Sequence, residues 1–479
     1  MSFSSWFRTP RIRRGIAVSA VVLATGGLVL HRAQASGETS FLTPSVTLAA
    51  GKNSATFAGP GAHGTVSLSH TSILAGQDTT LFADVRVVAD ATETKSVARA
   101  PISLAVVLDT SGSMQGEKMD EAKRSVLRLL SDMRDDDEIT VVRYDDNSEL
   151  IQPLAKVGAV RTSLSARIRG LEAGGGTNIP GGLSHGMRAL DESARGRVKR
   201  IVLVSDGLDG TRAQAENLAR SSFASGITVS SLGIGLDFDE AYMGSLAQNG
   251  HGNFAFVKDG ASLATFLKRE LVETATTTVE NVRVRLRLPE GTRFVAATGG
   301  DATVHGDEIE LAIGSLFAGD QRRVLVELTA AMPRSGSTLA IGTQASWNLV
   351  NGGTTSTNGS SLRILAANDL STVENGRDGA VLASATSVLA SRRQIEAANA
   401  YSQGDIARAN RLTAENEKAL ADALAAAPAA AAPGITSQLE SYREQKAKFA
   451  KVAPQSAEGR AAAKAGAAKD MSNFSRSAF

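Results

Sequence analysis

The chain has 479 residues, with 51 Lys and Arg against 49 Asp and Glu, 42% hydrophobic and 21% charged residues. This is ordinary globular composition at a length that suits about three domains. A formal net charge of +2 gives no electrostatic case for a nucleic-acid partner. The absence of cysteine excludes disulfides, thiol catalysis and Cys-ligated zinc or iron–sulfur centres.

Residues 1–14 contain Arg8, Arg11, Arg13 and Arg14 and no acid, and an apolar run from Gly15 to Leu30 leads to Ala33-Gln34-Ala35. Basic, apolar and small residues in that order predict a signal peptide over 1–35, cut after Ala35. The apolar run falls short of the ~20 residues that span hydrocarbon, so membrane contact is expected only if the segment is retained as an anchor. A long exported chain without disulfides fits a bacterial periplasm, cell envelope or secreted pool.

In 36–99, residues 65–70 and 80–88 alternate apolar and polar (Leu81, Ala83, Val85, Val87), which predicts half-buried strands. The texture changes over 100–275. Apolar runs at 102–108, 141–142, 201–204 and 227–232 are separated by helical patterns at 117–133, 162–171, 182–190, 211–224, 240–248 and 261–271. That alternation predicts an α/β domain with a mostly parallel central sheet covered on both sides. Over 276–367 strict alternation returns (Val282, Val284, Leu286, Leu288), with turn signals between four to six expected antiparallel strands. That is too few for a complete β-sandwich. The 36–99 segment is expected to complete it, with the α/β domain inserted between. Residues 368–479 predict a helical tail, with helices at 380–403, 405–426 and 434–452. The last stretch, 455–479, is Ala/Lys/Ser-rich and expected to be disordered.

Chemistry concentrates at Asp109-Thr110-Ser111-Gly112-Ser113, where the first apolar strand of the α/β segment ends. In open α/β sheets, ligands gather at the carboxyl ends of strands. Asp109, Ser111 and Ser113, at i, i+2 and i+4, can turn hard oxygens to one centre. Gly174-Gly175-Gly176-Thr177 adds a hydroxyl on a flexible turn, and Asp206 follows the apolar run 201–204 on the same sheet edge. Carboxylates and hydroxyls suit Mg²⁺, with Mn²⁺ or Ca²⁺ as alternatives.

Asp-x-Ser-x-Ser, a Gly-rich Thr and a strand-end Asp, in this order across 101–275, resemble the von Willebrand factor A domain (Rossmann-like) and its metal-ion-dependent adhesion site. With its flanking β segments and helical tail, the whole chain is similar to bacterial exported proteins of the calcium-activated chloride channel-like or inter-α-trypsin-inhibitor-like group. The resemblance implies that Ser111 and Ser113 bind the metal directly and Thr177 directly or through water. It implies that Asp109 and Asp206 act mostly through water, and that the open position takes an Asp or Glu carboxylate of a partner protein. It also implies one short antiparallel edge strand and an affinity switch that moves the last helix, 261–271.

Other readings of these residues are weaker. Asp-Thr-Ser-Gly lacks the Gly of an aspartic-protease motif and has no second copy to share a proton. A purely local role, with Asp109 and Ser111 bonding nearby N–H groups, leaves Thr177 and Asp206 unexplained. The acidic run Asp135-Asp136-Asp137-Glu138 reads as a solvated loop. No His-Glu-x-x-His, EF-hand or Walker pattern is present. No nucleophile–base pair can be assembled, so the expectation is a non-enzymatic adhesion protein. The alternative is an accessory scaffold subunit of an envelope complex, bound mainly through its sandwich and helical tail.

Overall fold

Four strands lead the described chain: β1 (Ser54–Gly59), β2 (Ala62–Leu68), β3 (Ser72–Leu74) and β4 (Thr79–Ala89). The computed structural model describes residues 53–91, 100–193, 196–206, 209–236, 238–257, 260–350 and 352–475. The expected signal peptide at 1–35 lies outside these residues.

The α/β segment runs β5 (Ile102–Asp109), α1 (Glu117–Asp132), β6 (Glu138–Tyr144), β7 (Ser148–Lys156), α2 (Val157–Arg169), α3 (Ile179–Asp191), β8 (Val198–Ser205), α4 (Arg212–Ala224), β9 (Ile227–Ile234), α5 (Glu240–Asn249), β10 (His251–Val257) and α6 (Gly260–Ala275). The sheet order is β10-β9-β8-β5-β6-β7. Every pairing is parallel except β6 with β7. The edge position of β7 tolerates Pro153, whose missing N–H a central strand would need. All of β5 is buried because both faces are covered. Leu104, Val106 and Leu108 pack with side chains from α1, α2 and α6, while Ala105 and Val107 face α3, α4 and α5. The chain leaves β5 toward β6 on one side and later returns as β8 on the other. The crevice between the ends of β5 and β8 is therefore the switch point of the sheet.

The acidic run is only partly solvated. Asp137 is fully buried, accepting bonds from the Arg134 N–H (2.9 Å) and the Ile102 N–H (3.4 Å), so it ties the entry to β6 onto the start of β5.

Among the described residues eight strands follow, more than the four to six expected: β11 (Thr277–Arg287), β12 (Thr292–Thr298), β13 (Asp301–His305), β14 (Glu308–Phe317), β15 (Gln321–Ala330), β16 (Thr338–Leu349), β17 (Thr354–Asn358) and β18 (Leu362–Ala367). They still need the N-terminal strands. One sheet runs β1-β2-β4-β15-β12, the other β13-β14-β11-β16-β18-β3 with β17 on β16. The β4–β15 ladder pairs Thr79–Val88 with Gln321–Ala330 across the whole α/β insertion. One core fills the space between the sheets, with Val66, Leu81 and Val85 from one side meeting Val284, Leu311 and Trp347 from the other.

The tail holds α7 (Leu370–Asn375), α8 (Gly379–Ser402), α9 (Ile406–Ala426), α10 (Ala432–Lys451) and α11 (Ala457–Ser475). Asp405 caps α9 by accepting from the Arg408 N–H after Gly404, which has φ +85°. On the outer face of the first sheet, Phe82 and Leu325 pack under Val381, Ala385 and Val388 of α8.

The end of the chain departs from the expected disorder. Helix α11 covers most of 455–479 and is docked, with Ala463 and Ala467 buried beside Tyr401 and Phe449. Its contact face is small residues. A Cβ at Gly466 would lie 1.9 Å from Gln445 Nε2, and one at Gly459 2.2 Å from the Ala453 carbonyl oxygen. Small residues let the side chains of Gln445, Tyr401 and Phe449 approach the helix, so it carries no stripe of large apolar residues to detect.

Inside the tail, Tyr442 donates to Asp470 Oδ1 at 2.7 Å. Burial pushes the Asp470 carboxyl up to about 7. Between the ordinary carboxylate range and that value the folded chain holds a proton the unfolded chain has released. Asp470 therefore makes stability fall as pH rises through the window. Glu280, also raised to about 7 by burial, acts with the same sign. His70, lowered to about 4 by burial, acts with the opposite sign. Asp470→Asn keeps an acceptor for Tyr442 but does not titrate. Its urea midpoint should fall less than that of the wild type between about pH 5 and about pH 7.5. Equal falls would refute the assignment.

Candidate metal centre

The site sits at the switch point. Asp109 is the last residue of β5, and Asp206 directly follows β8, whose strand lies hydrogen-bonded beside β5. Beyond Asp109 the chain curls through Thr110 and Ser111 into a short 3-10 turn, Gly112–Met114. The Ser111 side chain makes no capping bond to that turn, so its hydroxyl is available to lie 3.1 Å from Ser113 Oγ. Ser113 donates in turn to Asp206 Oδ1 at 2.7 Å. Asp109 accepts from the Ser111 N–H (2.8 Å) and the Ser205 hydroxyl (2.6 Å), with the Tyr144 hydroxyl at 3.4 Å. Asp109, Ser111 and Asp206 are buried, and Ser113 is exposed. The cluster therefore opens to solvent on the Ser113 side.

Thr177 is placed more loosely. Its Gly-rich loop is fastened to the serine loop by bonds from the Gly112 N–H to the Gly175 carbonyl (3.0 Å) and from the Gly174 N–H to the Thr110 carbonyl (2.8 Å). Gly175, with φ +79°, favours glycine, and Gly176 packs against the Asp146 carboxylate, whose Oδ1 a Cβ would meet at 2.3 Å. Thr177 itself is half-buried just before Asn178, which caps α3. The bonds that join the other four residues do not include its hydroxyl.

Burial is the main cause holding the Asp109 carboxyl above its ordinary range, and the charge of Asp206 adds to it, against bonds from Ser111 and Ser205 that lower it. The Tyr144 hydroxyl is also pushed well up by burial and by Asp109. The donor set is two carboxylates and three hydroxyls. Among the described residues no three His, Cys, Asp or Glu side chains gather into a metal-ligating group, so a cation here depends on the hydroxyls.

Four contributors lie outside the five-residue motif. Ser205 and Tyr144 hold Asp109. Asp209 accepts from the Ile179 N–H (2.9 Å), the Thr211 N–H (3.1 Å) and the Tyr242 hydroxyl (2.9 Å), fixing the starts of α3 and α4 around the rim. Lys118, in the first turn of α1, bonds Asp206 Oδ2 and donates to the Ser113 carbonyl at 3.2 Å. Only Lys118 left a sequence signal, because the positive end of a helix disfavours a lysine unless an anion faces it.

Residues 103–269 match the family profile of the von Willebrand factor type A domain. The chain is 28% identical over 192 residues to the uncharacterized protein YfbK of Escherichia coli, covering 38% of this chain and 33% of that protein. It is also 28% identical over 197 residues to inter-alpha-trypsin inhibitor heavy chain H2 of Mus musculus, covering 38% of this chain and 21% of that one. The chain thus spans a third or less of the length of these relatives. Among solved structures, a von Willebrand factor type A protein from Catenulispora acidiphila shares the fold with a TM-score of 0.62 at 18% identity, over 85% of this chain and 91% of that one. Residues 103–269 of this chain are a von Willebrand factor type A domain, set between the two halves of a β-sandwich and followed by a helical tail.

Proposed function

We propose that the chain is an exported, non-enzymatic adhesion protein that captures an acidic group of a protein partner through Mg²⁺ held by Asp109, Ser111, Ser113, Thr177 and Asp206. The observation that carries this reading is the chain of contacts from Ser111 through Ser113 to Asp206, which crosses from the β5 loop to the end of β8. Bound there, Mg²⁺ supplies a Lewis-acidic position for an incoming carboxylate. The chain's own residues prepare it. Ser205 and the Ser111 N–H fix Asp109, and Ser113 on the exposed side marks where the partner enters. Neutral hydroxyls beside the cation leave it more charge with which to attract an acid. Export rests on the basic–apolar–small order of residues 1–35. Among the described residues no helix is long and apolar enough to cross a membrane.

Calorimetric titration of the mature protein with Mg²⁺ is the test. The wild type should bind, and Ser111→Ala/Ser113→Ala should lose at least about a hundredfold in affinity, as removal of two of few ligands implies. Equal heats from the two proteins would remove the site. The scaffold alternative predicts that Asp109→Ala still captures partner from an envelope extract and that chelator does not release it.

A further inference from the structure

The candidate site already contains a cation of its own. The Lys118 ammonium bonds Asp206 Oδ2 and the Ser113 carbonyl oxygen, on a carboxylate whose side chain is fully buried, while the lysine side chain keeps 28% of its surface exposed. Room for it is built in. Gly235, on the loop after β9, has φ +79°, and a Cβ there would stand 3.1 Å from Lys118 Cε. Lys118 lies in the first turn of α1, where the helix dipole disfavours a cation, and the bonds to Asp206 and to the Ser113 carbonyl offset that cost.

We propose that Lys118 is a tethered counter-ion of the metal-free state, which neutralises Asp206 beside Asp109 and which a divalent cation must displace in order to bind. The inference rests on the metal reading above and adds a mechanism to it. Two buried carboxylates joined through Ser111 and Ser113 would repel one another if both were left without a counter-charge. A divalent ion supplies that charge from solution, and the lysine supplies it from within the chain. The two cannot both bond Asp206 at full strength, because the ammonium and the metal would face each other across one carboxylate. The lysine's partial exposure gives the displaced ammonium a short path to water. The domain would therefore hold metal more weakly than its ligand set alone allows, and would release it to a state that is already neutralised.

The test compares wild type, Lys118→Met and Lys118→Gln, each as the mature full-length protein, by Mg²⁺ calorimetry and by thermal melting in chelator and in saturating Mg²⁺. The neutral variants should bind Mg²⁺ roughly tenfold tighter, the scale of one partly buried ion pair. They should melt below the wild type in chelator and at or above it in Mg²⁺. A lysine that only packs would lower both melting points together, and that result overturns the proposal. So does wild-type binding that neither variant improves. Heat from no protein at all overturns it together with the metal reading, whereas binding in the variants alone supports both. If Lys118→Met does not fold, Lys118→Gln carries the comparison.

Discussion

A chain stopped after Pro454 should lose on the order of 5 kcal/mol of stability, because α11 closes several buried polar contacts at once. Lys464 is buried, donates to the Phe238 carbonyl at 2.7 Å, pairs with Glu240 at 2.6 Å and lies 4.2 Å over the Phe238 ring. At the other end of the helix the Asn473 carbonyl accepts from Arg323 at 2.8 Å. Arg323 is fully buried on β15 beneath α8, and burial lowers its guanidinium to about 10. Without α11 it retains Ser384 Oγ at 3.1 Å, and Tyr442 loses Asp470. An unsatisfied buried donor costs about 1–3 kcal/mol, more when charged, and the exposed faces of Tyr401 and Phe449 add to the loss. Urea unfolding followed by fluorescence of Trp347, buried in the sandwich core with its Nε1 on the Pro60 carbonyl (2.8 Å), measures the effect. A truncated chain with an unshifted midpoint would show that α11 is dispensable. The same helix grips the loop that follows β9, which also holds Gly235 against Lys118. Lys464→Met should lower stability by about 1–2 kcal/mol, the scale of one charge-assisted bond.

The second large effect concerns Arg200. On β8 it bonds Glu270 of α6 at 2.7 Å, and Glu270 also accepts from Ser230 of β9 and Asn253 of β10 at 2.5 Å each. Glu270 is fully buried, so Arg200→Ala strands a carboxylate among neutral donors and should cost about 3–5 kcal/mol. Arg200→Met/Glu270→Gln removes both charges and should recover much of that loss, because replacing a buried pair is far cheaper than breaking it. Additive losses around this double-mutant cycle would mean that the pair is not coupled. The network fastens α6 to three strands of the sheet. Any movement of that helix relative to the sheet would have to carry Glu270 away from Arg200 or pivot about the pair.

Part of this molecule is legible residue by residue. Asp109 ends β5 and Ser111 and Ser113 lie on the turn that follows, so their spacing alone sets the three side chains at one strand end. Apolar runs separated by helical periods announce a parallel sheet, because strands buried on both faces have no polar positions. The alternation of Leu81, Ala83 and Val85 matches that of Val324, Val326 and Leu328, and the two segments pair although the α/β domain separates them.

Other features exist only because distant segments meet. Ser205, Tyr144 and Lys118 matter at the site because strand order sets β8 and β6 on either side of β5, and no spacing within the chain encodes that neighbourhood. Asp137 looks like one more solvated acid until β5 supplies it with a backbone donor. The Ala/Lys/Ser-rich terminus looks featureless because it docks largely through small residues at close range. Its packing energy comes from the partners it lets approach, Tyr401, Phe449 and Gln445, and not from apolar bulk of its own.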